Sequence, residues 1–142
     1  MWDRLKAWFT GTPLSSAAST GGFGERIAAD FLRDRGFKIL VRNWRSPRDR
    51  RDELDLVCRE GGIVVFVEVK TRSANALVPG YFTVDVRKKK VLRRAATAYL
   101  RQLHPPPAFF RLDVVEVTTH GNAKPEIRHF ENVPLFTKHF RP

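Results

Sequence analysis

Residues 52–57, Asp-Glu-Leu-Asp-Leu-Val, and residues 63–70, Ile-Val-Val-Phe-Val-Glu-Val-Lys, are two apolar runs joined through Arg59-Glu60-Gly61-Gly62. A glycine pair between β-branched runs predicts a hairpin. The second run is apolar on both faces from Ile63 to Val67, the pattern of a central strand covered by helices on each side. Upstream, Phe23, Ile27, Phe31 and Leu32 recur at helical spacing until Gly36. Residues 37–44 then read as a strand at the sheet edge, and the proline-containing run 45–51 as a charged loop. Downstream, 84–103 is the longest helical pattern, with Val91, Leu92, Ala95, Ala96, Tyr99 and Leu100 as its apolar stripe. The prolines after His104 end it. Residues 109–117 and 126–130 predict two more strands around a Gly121-Asn122 turn. The expected fold is α/β, a mixed β-sheet core with helices packed on its faces.

The chain of 142 residues suffices for one domain with a core. We divide it into an N-terminal appendage and flexible linker over 1–22, a domain over 23–133 and a C-terminal tail over 134–142. Residues 2–9 predict a short amphipathic helix stopped by Gly11-Thr12-Pro13, and 15–22 a mobile linker. With 26 Lys and Arg against 15 Asp and Glu, the net charge is +11, a balance that favours a polyanionic partner. No stretch has the length of a membrane span and the start lacks a secretory signal, so no membrane association and a cytoplasmic location are expected. Cys58 is the single cysteine, which excludes an intrachain disulfide and a thiolate zinc cage; a buried thiol is expected. The four histidines lack zinc-site spacing. Gly21-Gly22-Phe23-Gly24 lacks the Lys-Ser/Thr of a nucleotide loop.

Within the apolar runs, Asp55, Glu68 and Lys70 demand a reason, because an unpaired buried charge costs several kcal/mol or neutralises itself. Side-chain alternation predicts Glu53 and Asp55 on one face of their strand, with Leu54 and Leu56 on the other. On the next strand Phe66, Glu68 and Lys70 share a face. A hairpin that aligns the acidic faces makes Asp55 and Glu68 cross-strand neighbours, and two such carboxylates repel unless a cation or a proton lies between them. Hard oxygen donors suit Mg²⁺ or Mn²⁺, with the Val69 backbone carbonyl as a further ligand. Lys70 would then orient the water and stabilise charge on phosphoryl oxygens during phosphodiester hydrolysis. The plainer alternative is a Glu68–Lys70 ion pair, with Asp55 capping a turn.

Glu25, at the start of the first helix, is placed either to reach the site or simply to favour the helix end. Glu53 is expected as a supporting acid or a partner for an arginine, and Asp113 as an acid holding a basic residue below the site. Arg72, Lys88, Lys89, Lys90 and Arg45 are candidate phosphate contacts, or else a solvated surface. Trp44 is a further nucleic-acid candidate, and Tyr81 and Phe82 are read as base-stacking or loop-packing groups.

In order along the chain, Gly24-Glu25 with Ala28 and Leu32, Gly36, Asn43, Glu53-Leu54-Asp55-Leu56, Phe66-Val67-Glu68-Val69-Lys70-Thr71-Arg72, Lys90 with Ala98-Tyr99-Leu100, and Arg111-Leu112-Asp113-Val114-Val115 form a set. Over about residues 23–133 this set resembles the YraN-like predicted endonuclease family, uncharacterised protein family UPF0102, within the PD-(D/E)XK nuclease superfamily. The resemblance implies a restriction-endonuclease-like fold, a metal site of Asp55, Glu68 and Lys70, and a contribution from Glu25. The family is also similar to archaeal Holliday junction resolvases, dimers that cut branched DNA. Two departures stand out: Asp52 replaces a usual glycine, and Asn132-Val133-Pro134 replaces a usual Asn-Ala-Phe.

The resulting expectation is a metal-dependent endonuclease acting on DNA, including branched or structured DNA. The alternatives are a nucleic-acid-binding module that keeps the scaffold with weak or absent catalysis, and an RNA-processing nuclease. One site per chain would cut both strands only with a second copy, so a homodimer is expected.

Overall fold

The computed structural model describes residues 20–75 and 85–142. The readings placed on residues 2–9 and on Tyr81 and Phe82 lie outside the described residues. The element order is α1 (Thr20–Asp34), β1 (Lys38–Arg45), β2 (Glu53–Glu60), β3 (Ile63–Ser73), α2 (Val86–Arg101), β4 (Phe109–His120) and β5 (Ala123–Val133). The five strands form one sheet in the order β1-β2-β3-β4-β5. Three neighbouring pairs are antiparallel; β3 and β4, linked through α2, are parallel. This is a restriction-endonuclease-like α/β fold, with β1 at an edge and β3 in the centre as the hydrophobic patterning predicts.

The helices cover opposite faces. Ala28, Ala29 and Leu32 of α1 pack with Phe37, Leu56, Cys58, Val65, Val67, Val115 and Val117. Leu92, Ala95, Ala96, Tyr99 and Leu100 of α2 pack with Trp44, Leu54, Val57, Val64, Phe66, Leu112 and Val114. β3 feeds alternate side chains to the two cores, which explains why it is apolar on both faces. Trp44, read as a nucleic-acid contact, is instead buried, with its ring edge-on to Tyr99 at 5.4 Å.

The last two strands run longer than the patterning indicates, β4 to His120 and β5 over Ala123–Val133, and two further boundaries differ. α1 begins at Thr20, inside the segment read as a linker; Gly21 and Gly22 have low helix propensity and gave no sign of it, but a packed helix extends through poor formers. Residues 134–142, read as a tail, close the α2-side core: Leu135 is buried and Phe136 packs against Phe110 and Phe140.

One departure shapes the site. Leu54 and Leu56, expected on a common face, enter opposite cores. They pair with Trp44 and Arg42, and between those pairs lies Asn43 at φ +50°. A left-handed residue rotates the strand locally, which breaks the period of two at the position of Asp55.

Candidate active site

Past the last β2–β3 ladder pair, Leu56 with Val67, the two strands are bridged by a side chain. Asp55 Oδ2 accepts the Val69 N–H at 2.8 Å. This bond turns the Asp55 carboxylate toward β3, where Glu68 is buried. Burial pushes the Asp55 carboxyl up to about 8, and the adjacent Glu68 charge adds to it. The Val69 N–H opposes this shift, and Glu25 reinforces it. Asp55 and Glu68 thus form a close carboxyl pair that retains a proton near neutral pH.

Glu68 is asymmetric. Its Oε1 receives two ammonium groups, Lys70 Nζ at 3.2 Å and Lys88 Nζ at 3.3 Å. Its buried Oε2 has no hydrogen-bond partner among the described residues. Lys88 comes from the first turn of α2, where Asp85 caps the helix by accepting the Lys88 N–H at 2.8 Å. The cap fixes the turn that delivers this lysine to the strand.

Glu25 enters from α1. Its half-buried carboxyl is held above the usual range by burial, and the carboxylates of Glu53 and Glu68 push in the same direction. A hydrogen bond to the Asn43 side chain opposes the shift. The approach depends on Gly24, where a Cβ would collide with Thr71 Oγ1 and lie 3.1 Å from Thr71 Cβ. Glycine here lets the helix start settle against β3.

The remaining predicted residues divide. Glu53 Oε2 pairs with Arg45 Nε at 3.2 Å, so both belong to one partly exposed ion pair. Arg72 lies on β3 with its Nε 3.3 Å from Glu116 Oε1. Lys89 is partly buried on α2, and the exposed Lys90 lines a groove on its outer side. Asp113 does not join the carboxyl pair. It is fully buried beside the α1-side core, with Arg111 Nε at 2.8 Å, His129 Nε2 at 2.8 Å and the Asn132 N–H at 3.0 Å. Burial works to raise its pKa, but these bonds more than offset that and leave it below the usual range. Asn132, the residue that this segment shares with the usual Asn-Ala-Phe, has a use: at φ +53° it aims its N–H at Asp113. Asp52 is also accommodated, in a two-pronged pair with Arg94 at 2.7 and 3.1 Å.

Two participants escaped the sequence reading. Asn43 holds Glu25, and only its backbone geometry reveals why an amide stands there. Glu116 is fully buried and paired in register with Lys70. Its signal was present: an acid inside Val114-Val115-Glu116-Val117 is as anomalous as Asp113.

The model of the uncharacterised protein family UPF0102 matches residues 24–117, a span that holds most of α1, the carboxyl pair, both lysines and most of β4. The chain belongs to the UPF0102 family. It is 39% identical over 124 residues to a UPF0102 protein of Mycolicibacterium vanbaalenii, covering 87% of this chain and 98% of that one. A UPF0102 protein of Anaeromyxobacter dehalogenans is 42% identical over 110 residues, covering 78% and 79% of the two chains. One from Chlorobaculum parvum is 39% identical over 111 residues, covering 78% and 84%. No helix among the described residues of this UPF0102 protein is long and apolar enough to cross a membrane.

Proposed function

We propose that this UPF0102 protein is a metal-dependent endonuclease of the PD-(D/E)XK type that hydrolyses phosphodiester bonds of DNA. The observation that carries the reading is the buried pair of Asp55 and Glu68, with two ammonium groups on Glu68 Oε1 and nothing on Oε2. A buried carboxylate oxygen without a donor is costly, and a cation-binding role accounts for its retention.

Among the described residues no group of three or more His, Cys, Asp or Glu side chains is arranged to hold a metal. The donor set of two carboxyls and a backbone carbonyl fits Mg²⁺ or Mn²⁺, which bind through one or two carboxylates and keep several waters and substrate phosphate oxygens. Asp55, Glu68 and the Val69 carbonyl would hold the ion, which when bound supplies Lewis acidity and an acidified water. Lys70 orients the attacking water and stabilises charge developing on the phosphoryl oxygens. Lys88 offers a second ammonium to the same phosphate. Glu25, held by Asn43, accepts a hydrogen bond from the water. Water attacks phosphorus in line and gives up a proton to bulk water, the bond to the leaving oxygen breaks, and that oxygen takes a proton back from bulk water. Symmetric cutting of both strands calls for a homodimer.

The test incubates the protein with linear, flapped and branched DNA and with structured RNA, in Mg²⁺ or Mn²⁺, beside Asp55→Ala and Lys70→Ala variants. Cation-dependent cleavage of DNA that disappears in both variants is expected. Binding without cleavage of any substrate in either ion refutes the reading and leaves a nucleic-acid-binding module; cleavage confined to RNA makes it a ribonuclease.

A further inference from the structure

Along the outer side of α2, Lys90, Arg94, Thr97 and Arg101 follow one another at steps of three or four residues, with Arg93 beside Arg94, so they form one stripe. The stripe is one wall of a groove of about 440 Å³; Arg48 of the β1–β2 loop and Phe140 of the C-terminal segment complete it. Lys90, Arg93, Arg94, Arg101 and Arg48 face a single carboxylate there, that of Asp52. That carboxylate is already engaged by Arg94. A strong positive excess remains.

The walls are built rather than loose. Arg93 is anchored by donating its Nε–H to the Leu135 carbonyl at 2.9 Å. The loop that carries Arg48 is folded by the Ser46 N–H on the Asp52 carbonyl at 2.9 Å and the Asp52 N–H on the Asp49 carbonyl at 3.0 Å. Ser46 is buried, and its Oγ accepts the Arg48 N–H at 3.3 Å. The Arg93 guanidinium held in this way retains N–H donors for an anion and loses less entropy on binding it, while the folded loop fixes the backbone from which Arg48 projects.

The groove also has a defined place relative to the carboxyl pair. Asp52 precedes Asp55 by three residues, about 10 Å of extended chain, and Lys88, which touches Glu68, lies on the same helix as the stripe. From Lys90 to Arg101 the helix rises about 16 Å, against about 3.4 Å of axial rise per phosphate in one DNA strand. We propose that this groove is a binding site for the sugar-phosphate backbone of a DNA strand. It would take roughly five nucleotides, beginning about three nucleotides from the carboxyl pair, and grip without reading sequence. The assignment rests on the endonuclease reading given above.

The experiment measures binding of a short labelled DNA duplex by fluorescence anisotropy in EDTA, where no cutting occurs, across a series of salt concentrations. A combined Arg48→Ala, Lys90→Ala, Arg93→Ala, Arg101→Ala variant is compared with the unmodified chain. Because Arg93 also holds the C-terminal segment, a Lys90→Glu, Arg101→Glu variant is measured in parallel, with folding of both checked by circular dichroism. Affinity is expected to fall roughly tenfold or more, and the slope of log K on log salt to shrink by about 3 to 4 in the fourfold variant, near 0.9 per lost phosphate contact. Cleavage of the small diester bis(p-nitrophenyl) phosphate in Mn²⁺, which does not span the groove, reports the carboxyl pair separately and is expected to vanish in Asp55→Ala. Unaltered affinity and salt slope in the folded variants overturn the groove assignment. So does displacement of duplex from the unmodified chain by polyglutamate of equal charge as readily as by unlabelled duplex. Absence of diester cleavage in the unmodified chain strikes the endonuclease reading instead, and is read separately from the binding.

Discussion

Replacing Asp55 by Asn is expected to stabilise the metal-free protein at neutral and alkaline pH while removing the proposed cleavage activity. The folded carboxyl is held at about 8 against 3.8 when unperturbed. Across that window the folded state binds the proton that the unfolded chain releases. Stability from this group is therefore complete below 3.8 and lost as the pH rises through about 8. Each pKa unit corresponds to about 1.4 kcal/mol, which sets a ceiling of roughly 5 to 6 kcal/mol on the cost of ionising Asp55. Relaxation, water entry and sharing of the proton with Glu68 reduce the expected effect to on the order of 2 kcal/mol. Asparagine keeps an oxygen for the Val69 N–H and adds an N–H₂ beside the unsatisfied Glu68 Oε2. Urea unfolding of both proteins in EDTA, near the two ends of the window, gives the difference directly. It is expected to be near zero at the acid end and to favour the variant by that amount at the alkaline end. Added Mn²⁺ then raises the melting temperature of the unmodified chain and not of the variant. A difference that stays flat with pH, or a variant weaker at the alkaline end, refutes the carboxyl-pair reasoning.

Three further outcomes follow from the packing. Asp113→Ala strands Arg111, His129 and the Asn132 N–H in the interior; it is expected to cost about 3 to 5 kcal/mol in denaturant unfolding, with the Mn²⁺ affinity of the folded fraction preserved. Gly24→Ala drives a methyl into Thr71 and is expected to cost about 1 to 3 kcal/mol, with partial recovery when Thr71→Ala is added; equal losses in the single and double variants would count against the contact. Burial pushes the Cys58 thiol up to about 12, so a disulfide-exchange reagent at mildly alkaline pH should react with it only after denaturation, and prompt labelling of native protein contradicts its placement.

Much of this molecule follows from its sequence. The both-face apolarity of residues 63–67 demanded a central strand with a helix on each side, because only a doubly covered strand hides both sets of side chains from water. The anomalous charges Asp55, Glu68 and Lys70 announced a buried interacting cluster, since burying them needs compensation wherever the chain folds. The resemblance carried by the Glu53–Leu56 and Phe66–Arg72 segments extended that reading to family membership. Other features depend on groups far apart in sequence and leave no periodic trace. The left-handed turn at Asn43 overrode strand alternation and sent Leu54 and Leu56 to opposite cores. The union of Lys88 with Glu68, of Arg94 with Asp52 and of the 134–142 segment with α2 arises from how the helix crosses the sheet. Local patterning reports what each residue prefers as its solvent, whereas partners are selected by the packed geometry that brings distant segments within a few ångströms, and only the tertiary structure contains that geometry.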